Sequence, residues 1–122
     1  MTILEKHEVE IERAISRIIY ATATVTGAGV DEIDDAQTRR KPKDVEGRVV
    51  AMLATMKIVG LNQAQTAKRF GYRDHTTVSY LVRNYRSDDI AAKVETVCDM
   101  ASVRDTLFNI PPATSPVARR DV

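Results

Sequence analysis

Residues 73 to 77 read Arg-Asp-His-Thr-Thr, a compact run of polar side chains ahead of the apolar Val78. Such short polar groups at the start of a helix suit the recognition of base edges in a DNA major groove. Threonine offers a hydroxyl and a methyl group, histidine donates or accepts, and aspartate accepts from a cytosine amino group. Asp74 is equally suited to cap the helix that it begins, so the run also has a purely structural interpretation.

Helical spacing of apolar residues predicts the elements that must position this run. We expect helices at about 3–24, 44–59, 62–70, 75–86 and 88–109, and a polar connector at 31–43. The short helix, the turn at Gly71 and the helix from Asp74 form a helix-turn-helix pattern at 62–86. Val78 and Leu81 are expected to hold its second helix on the core.

Caps and apolar faces complete the prediction. Asn62 and Asp44 are good N-cap residues for the helices that follow them. We expect one-sided apolar stripes on three of the helices. Their members are Val45, Val49, Met52, Leu53, Met56 and Val59; then Ala64, Ala67 and Phe70; and last Ile90, Val94, Val97, Ala101 and Phe108.

The net charge of +1 hides a strong segregation along the 122 residues. Residues 1–35 carry three basic and eight acidic side chains, a net charge of −5. Residues 36–86 carry eleven basic and three acidic side chains, a net charge of +8, and residues 87–122 carry four and six, a net charge of −2. Salt screens charges beyond roughly 8–10 Å, so a partner that touches only the middle segment meets a positive surface. The alternative is that the acidic flanks fold back and neutralise it.

The string Phe70-Gly71-Tyr72-Arg73-Asp74-His75-Thr76-Thr77-Val78 resembles the signature of the DNA-binding C-terminal domain, domain IV, of the replication initiator DnaA. That signature usually reads F-G-G-R-D-H-T-T-V. The resemblance extends from about Arg39, and more loosely from Ile11, to about Arg86, or roughly three-fifths of the chain. It implies an all-α fold of five to six helices, of the DnaA domain IV or Trp-repressor-like type, and sequence-specific binding to double-stranded DNA.

The resemblance also implies roles for individual residues. Base contacts in the major groove fall on Asp74, His75, Thr76 and Thr77, and a minor-groove contact falls on Arg40. Phosphate contacts, which supply most non-specific affinity, are implied for a further group. Its members are Arg39, Arg48, Lys57, Asn62, Gln63 and Arg73.

Several positions depart from the family pattern. Tyr72 replaces the second glycine, and Ala64 stands where a base-contacting proline is common, which weakens the expected thymine contact. Glu46 and Gly47 replace the usual Arg-Pro, and Glu46 would repel a phosphate. Tyr72, Tyr80 and Tyr85 have the chemistry to stack on bases, but their helical spacing favours positions in the core or at its rim.

Several function classes find no support in the sequence. No G-x-x-x-x-G-K-[ST] motif is present, so we expect no ATPase activity and no bound nucleotide. Cys98 is alone and His7 lies far from His75, so we predict no metal, no cofactor and no enzymatic activity. An acidic start without an apolar run, and no apolar stretch near 20 residues, predict a cytoplasmic protein without a membrane partner. The resemblance to DnaA implies that it acts on the bacterial nucleoid.

Residues 1–87 are therefore predicted to form the DnaA-type DNA-binding domain, 88–109 an additional helix and 110–122 a tail. The predicted function is DNA binding at DnaA-box-like sites, with regulation of replication initiation or transcription. The alternative is a protein-interaction module with vestigial DNA binding. In that interpretation the apolar stripe Ile90–Phe108 and the acidic first helix bind a protein partner, for which a second copy of the chain is one candidate, and the departures at Glu46 and Ala64 reflect lost DNA contact.

Overall fold

The computed structural model describes residues 3–36 and 42–108, and the side chains of 7–36 and 42–102. Within these ranges the protein is all-α, as predicted, with six helices and no strand. The helices are α1 (Ile3–Thr26), α2 (Val30–Asp34), α3 (Pro42–Ile58), α4 (Gln63–Arg69), α5 (His75–Asn84) and α6 (Asp88–Phe108).

Helix α3 is the centre of the fold and contacts each of the five other helices. Four consecutive residues, Val49 to Met52, have no exposed surface, so the middle of the helix is buried on every side, whereas Lys43 and Lys57 near its ends are exposed. The prediction of a one-sided stripe on this helix was therefore wrong. Small residues let its neighbours come close: a Cβ atom added to Gly47 would lie 2.7 Å from the Cβ of Ala28.

Helices α1 and α6 pack on α3 and on each other. The buried residues that they add to the core are Ile15, Ile18 and Ile19 from α1, and Ile90, Val94, Val97 and Ala101 from α6. The stripe predicted for α6 is thus buried inside the chain, apart from Phe108, whose side chain lies outside the described residues. A homodimer through residues 88–109 would have to use other side chains.

The predicted connector at 31–43 is partly helical. Helix α2 occupies Val30–Asp34, and Ile33 has no exposed surface. A five-residue acidic helix with a single buried side chain shows no helical period of apolar residues, so the sequence pattern did not predict it. Burial of Ile33 holds α2 on the core and fixes the course of the chain up to Ala36.

Asp44 does not cap α3, contrary to the prediction. The helix begins at Pro42, whose fixed φ suits a first helical position, and Asp44 lies inside the first turn. Asp44 is 6% exposed, and its carboxylate accepts a hydrogen bond from the backbone N–H of Gly29 at 3.5 Å. An acidic residue in the first turn still complements the helix dipole, so Asp44 stabilises α3 while holding the start of α2.

Candidate nucleic-acid interface

Helix α4 begins with the predicted Asn62 cap. Oδ1 of Asn62 accepts from the Gln65 N–H at 2.8 Å, and Oε1 of Gln65 accepts from the Asn62 N–H at 2.9 Å, so the two residues form a capping box. Gln63 accepts a hydrogen bond from the Ser79 hydroxyl and thereby links α4 to α5. Asn62 and Gln63, both predicted phosphate ligands, thus use their side-chain carbonyl oxygens as acceptors within the chain. The NH₂ group of each amide is the donor that a phosphate contact would require.

The buried face of α4 differs by one residue from the prediction. Ala67 and Phe70 are buried as expected, whereas Ala64 is exposed and Thr66 is buried in its place. Thr66 tolerates burial because its hydroxyl donates to the Asn62 carbonyl at 2.8 Å, which satisfies the polar group. Ala64 therefore lies on the solvent side of α4, where the family pattern places a base-contacting proline.

The turn after α4 depends on Gly71, as the sequence predicts. Gly71 has φ +86°, a left-handed conformation that side chains disfavour. The Tyr72 N–H donates to the Ala67 carbonyl at 2.8 Å and the Gly71 N–H donates to the Lys68 carbonyl at 3.4 Å. These two bonds are the Schellman arrangement, so the turn satisfies the last carbonyls of α4 and redirects the chain towards α5.

This turn is docked on the 32–36 segment, which comprises the end of α2 and the two residues after it. The Ala36 N–H donates to the Phe70 carbonyl at 2.8 Å. A Cβ atom on Gly71 would lie 3.0 Å from the Ala36 nitrogen and would overlap the Asp35 carboxylate. Glycine at 71 therefore serves two purposes, a positive φ and a close approach of two backbone segments.

Arg69, the last residue of α4, holds the same turn against α1 and α2 by two ion pairs. Its Nη2 lies 2.9 Å from Oδ1 of Asp34 in α2, and its Nε lies 2.7 Å from Oε2 of Glu12 in α1. Burial alone would lower the pKa of Arg69, but the hydrogen bonds and charges of Glu12 and Asp34 outweigh it and raise the pKa. One predicted cation of the middle segment is therefore neutralised by acidic residues of the first 35, as the alternative interpretation of the charge segregation requires.

Helix α5 begins at the predicted cap. Asp74 has extended backbone angles, and its Oδ1 accepts from the Thr76 N–H at 2.7 Å. That hydrogen bond lowers the pKa of Asp74 below its ordinary value of 3.8. The imidazole Nδ1 of His75 lies 3.7 Å from the same oxygen. Asp74 is thus ionised near neutral pH, and its second carboxylate oxygen is not needed for the cap.

The predicted base-reading residues lie side by side at the N-terminus of α5. Arg73, Asp74, His75, Thr76 and Thr77 are all exposed. The next residue, Val78, has no exposed surface and holds the helix on the core. The core therefore fixes the helix from one side and leaves five consecutive polar side chains open to a partner.

Tyr80 extends this face, contrary to the expectation of a core or rim position. Its side chain is 61% exposed. Residues i, i+4 and i+7 share one face of a helix, so Thr76, Tyr80 and the exposed Arg83 form one continuous stripe on α5. The sequence spacing alone predicts that these three residues share one face of α5. It does not predict whether the core or solvent covers that face.

The structure does not support the predicted phosphate contact of Arg48. Its side chain is 1% exposed, and its Nε donates to the Glu32 carbonyl at 3.1 Å. Its Nη1 donates to the Tyr72 hydroxyl at 3.2 Å. The resemblance implied this contact from the position of Arg48 near the start of the long helix, but the side chain is turned into the protein there.

Two further charged residues of α3 face α6. Lys57 is exposed, and its Nζ lies 3.7 Å from Oε2 of Glu95. Oε2 of Glu46 lies 2.6 Å from Nζ of Lys93. Lys57, a predicted phosphate ligand, thus lies beside α6, and no described contact links it to the exposed residues of α5. Glu46, which was expected to repel phosphate, is paired with Lys93.

Arg39 and Arg40, predicted for the phosphate and minor-groove contacts, lie outside the described residues, as does the predicted tail at 110–122. Both arginines follow Ala36, the last residue of the 32–36 segment, by no more than four positions.

Neither a membrane span nor a metal site is found in the described part of the chain. None of its helices has the length and apolarity to cross a bilayer. No group of three or more histidine, cysteine or carboxylate side chains is placed there to share a metal ion. Burial raises the pKa of the partly exposed Cys98 thiol, which is typical of a structural cysteine.

Comparison with protein-family models, with curated proteins and with solved structures finds no match to this chain.

Proposed function

We propose that this chain binds double-stranded DNA sequence-specifically at DnaA-box-like sites. The observation that carries the proposal is the exposure of residues 73–77 at the N-terminus of α5, with Val78 buried directly behind them. In a helix-turn-helix protein the second helix presents its N-terminal residues to base edges in the major groove. Here α4, the turn at Gly71 and α5 would form that unit, with Asp74, His75, Thr76 and Thr77 as the reading residues.

The charge distribution around α4 and α5 supports a polyanionic partner. Residues 62–86 contain five basic side chains and one acidic side chain, a net charge of +4. Four of the five, Lys68, Arg73, Arg83 and Arg86, are exposed. Exposed cations next to a reading helix neutralise phosphates and supply affinity that depends on salt but not on sequence. Arg69 is held by Glu12 and Asp34 and is not counted as a DNA ligand.

The proposed cellular role is regulatory. A chain that recognises DnaA boxes, and in whose 122 residues no phosphate-binding loop occurs, would compete with the initiator for its boxes or control transcription beside them. It would act on the bacterial nucleoid. The acidic flanks, residues 1–35 and 87–122, would lower the affinity for random DNA and leave more of the discrimination to residues 74–77 and Arg40.

The test is a binding titration on a DnaA-box duplex and a scrambled duplex of equal length. We expect His75→Ala and Arg40→Ala each to cost about 1–3 kcal/mol on the box and much less on the scrambled duplex. Thr96→Ala is the control, because Thr96 is an exposed helical residue of α6 that lies outside the proposed interface. Wild-type protein that binds both duplexes equally, or variants indistinguishable from wild type, would refute the proposal.

A further inference from the structure

Arg48 is the largest side chain that the fold buries completely, and its guanidinium spans two parts of the chain. Nε and Nη2 donate to the Glu32 carbonyl, and Nη1 donates to the Tyr72 hydroxyl. These hydrogen bonds fix the orientation of the guanidinium. Through them Arg48 links α2 to the turn between α4 and α5. A lysine has one ammonium group on a flexible stem, so it cannot donate to both acceptors in the same fixed geometry.

Tyr72 is the residue through which Arg48 reaches the turn. Its hydroxyl accepts the hydrogen bond at 3.2 Å, and the Arg48 guanidinium carbon lies 5.9 Å from the centre of its ring. Tyr72 directly follows Gly71 and directly precedes Arg73 and the Asp74 cap. Any displacement of Tyr72 is thus passed along the backbone to the first residues of the proposed reading run.

We propose that Arg48 and Tyr72 are positioning residues for DNA recognition, acting from inside the protein on Arg73 to Thr77. This inference rests on the proposed function, and it assigns a use to Tyr72 at a position where the resembling family has glycine. A glycine turn leaves the entry to α5 free to vary, whereas a tyrosine held by a buried arginine fixes it. When the backbone leading into α5 is fixed, the side chains of residues 73–77 face the same base edges in every complex.

The experiment compares Tyr72→Phe and Arg48→Lys with Arg73→Ala, on box and scrambled duplexes over a series of salt concentrations. Tyr72→Phe keeps the ring and removes the hydroxyl, so it is the milder probe if Arg48→Lys fails to fold. We expect both variants to lower the ratio of box to scrambled affinity about tenfold, comparable to the loss of one good base contact. The dependence of affinity on salt should stay as in wild type, because neither residue touches phosphate.

Arg73→Ala is expected to behave in the opposite way. Loss of one phosphate contact should reduce the slope of log affinity against log salt by about 0.9 and leave the ratio nearly unchanged. If Arg48→Lys and Tyr72→Phe keep the wild-type ratio while folded, the two residues are merely structural and the inference is wrong. It is also wrong if Tyr72→Phe or Arg48→Lys reduces the salt slope as Arg73→Ala does, because the pair would then act through a phosphate contact.

A measurement without DNA separates this inference from the proposed function. Amide chemical shifts in Tyr72→Phe should change at Arg73, Asp74 and Thr76, and not at Asn62 or Gln65 at the far end of α4. If wild-type protein fails to distinguish the duplexes, the proposed function falls and the use in DNA recognition falls with it, while shifts confined to the start of α5 would still show that the Tyr72 hydroxyl holds this part of the backbone. If the shifts do not move there, the positioning itself is refuted.

Discussion

Replacement of Gly71 by alanine tests the docking of the turn on the 32–36 segment. Gly71 and Gly60 have nearly equal φ values, +86° and +85°, and both follow a helix. A Cβ atom at Gly60 would meet nothing within 4 Å, whereas at Gly71 it would meet Asp35 and the Ala36 nitrogen. The two substitutions therefore share the backbone strain and differ only in the neighbours.

The magnitude follows from these two terms. Alanine in the left-handed region costs about 1–2 kcal/mol relative to glycine, so this is the full effect expected of Gly60→Ala. Gly71→Ala must in addition push the 35–36 backbone away and weaken the 2.8 Å bond from the Ala36 N–H to the Phe70 carbonyl. A lost intramolecular hydrogen bond costs about 0.5–1.5 kcal/mol. We expect a total near 2–3 kcal/mol, about 1 kcal/mol beyond the Gly60 variant.

The assay is urea unfolding followed by circular dichroism at 222 nm, which suits an all-helical chain without tryptophan. Wild type, Gly60→Ala and Gly71→Ala are compared at equal concentration, and the slopes with urea should agree so that the midpoints report stability. Equal destabilisation by the two alanines would show that the turn is not docked on the 32–36 segment. The close approach inferred for Gly71 would then be wrong.

Two further predictions concern titratable groups. Because its folded pKa lies below the ordinary 3.8, Asp74 stabilises α5 above that pH, and the contribution is lost as the pH falls through the lowered value. The stability difference between wild type and Asp74→Asn, whose cap does not titrate, should therefore be constant near neutral pH and change only below about pH 4; a change near pH 6 would contradict this assignment. Cys98, with its raised pKa, should react with iodoacetamide at pH 8 more slowly than the same cysteine in urea, and equal rates would show an unperturbed thiol.

The local signals of the sequence predicted most of the helix boundaries. Asn62 and Asp74 carry the two cap hydrogen bonds that their residue types suggest, and Gly71 adopts the positive φ that a helix-ending glycine favours. These features depend on neighbours within four residues, so the order of residues alone is enough to indicate them. The polar run at 73–77 belongs to the same class, since its place at the start of a helix follows from the cap.

Predictions of which side of a helix is buried were less accurate, because they depend on the neighbouring helices. The sequence of α3 predicts one buried face, but contacts with five helices bury the middle of α3 on every side and enclose Arg48. Tyr80 was expected in the core or at its rim, but the core covers the opposite side of α5. Which side of a helix is buried is set by the neighbours that arrive from distant parts of the chain, and one helix's period does not contain them.

What the sequence by itself determined is therefore five of the six described helices, the caps at Asn62 and Asp74, the glycine turn and the segregation of charge. Only the tertiary structure decided how these parts meet. It paired Arg69 with Glu12 and Asp34, buried the α6 stripe within the chain, and joined Arg48 to Tyr72 across 24 positions. Caps and turns are governed by nearby backbone hydrogen bonds, whereas burial and ion pairing depend on groups that become neighbours only when the chain folds.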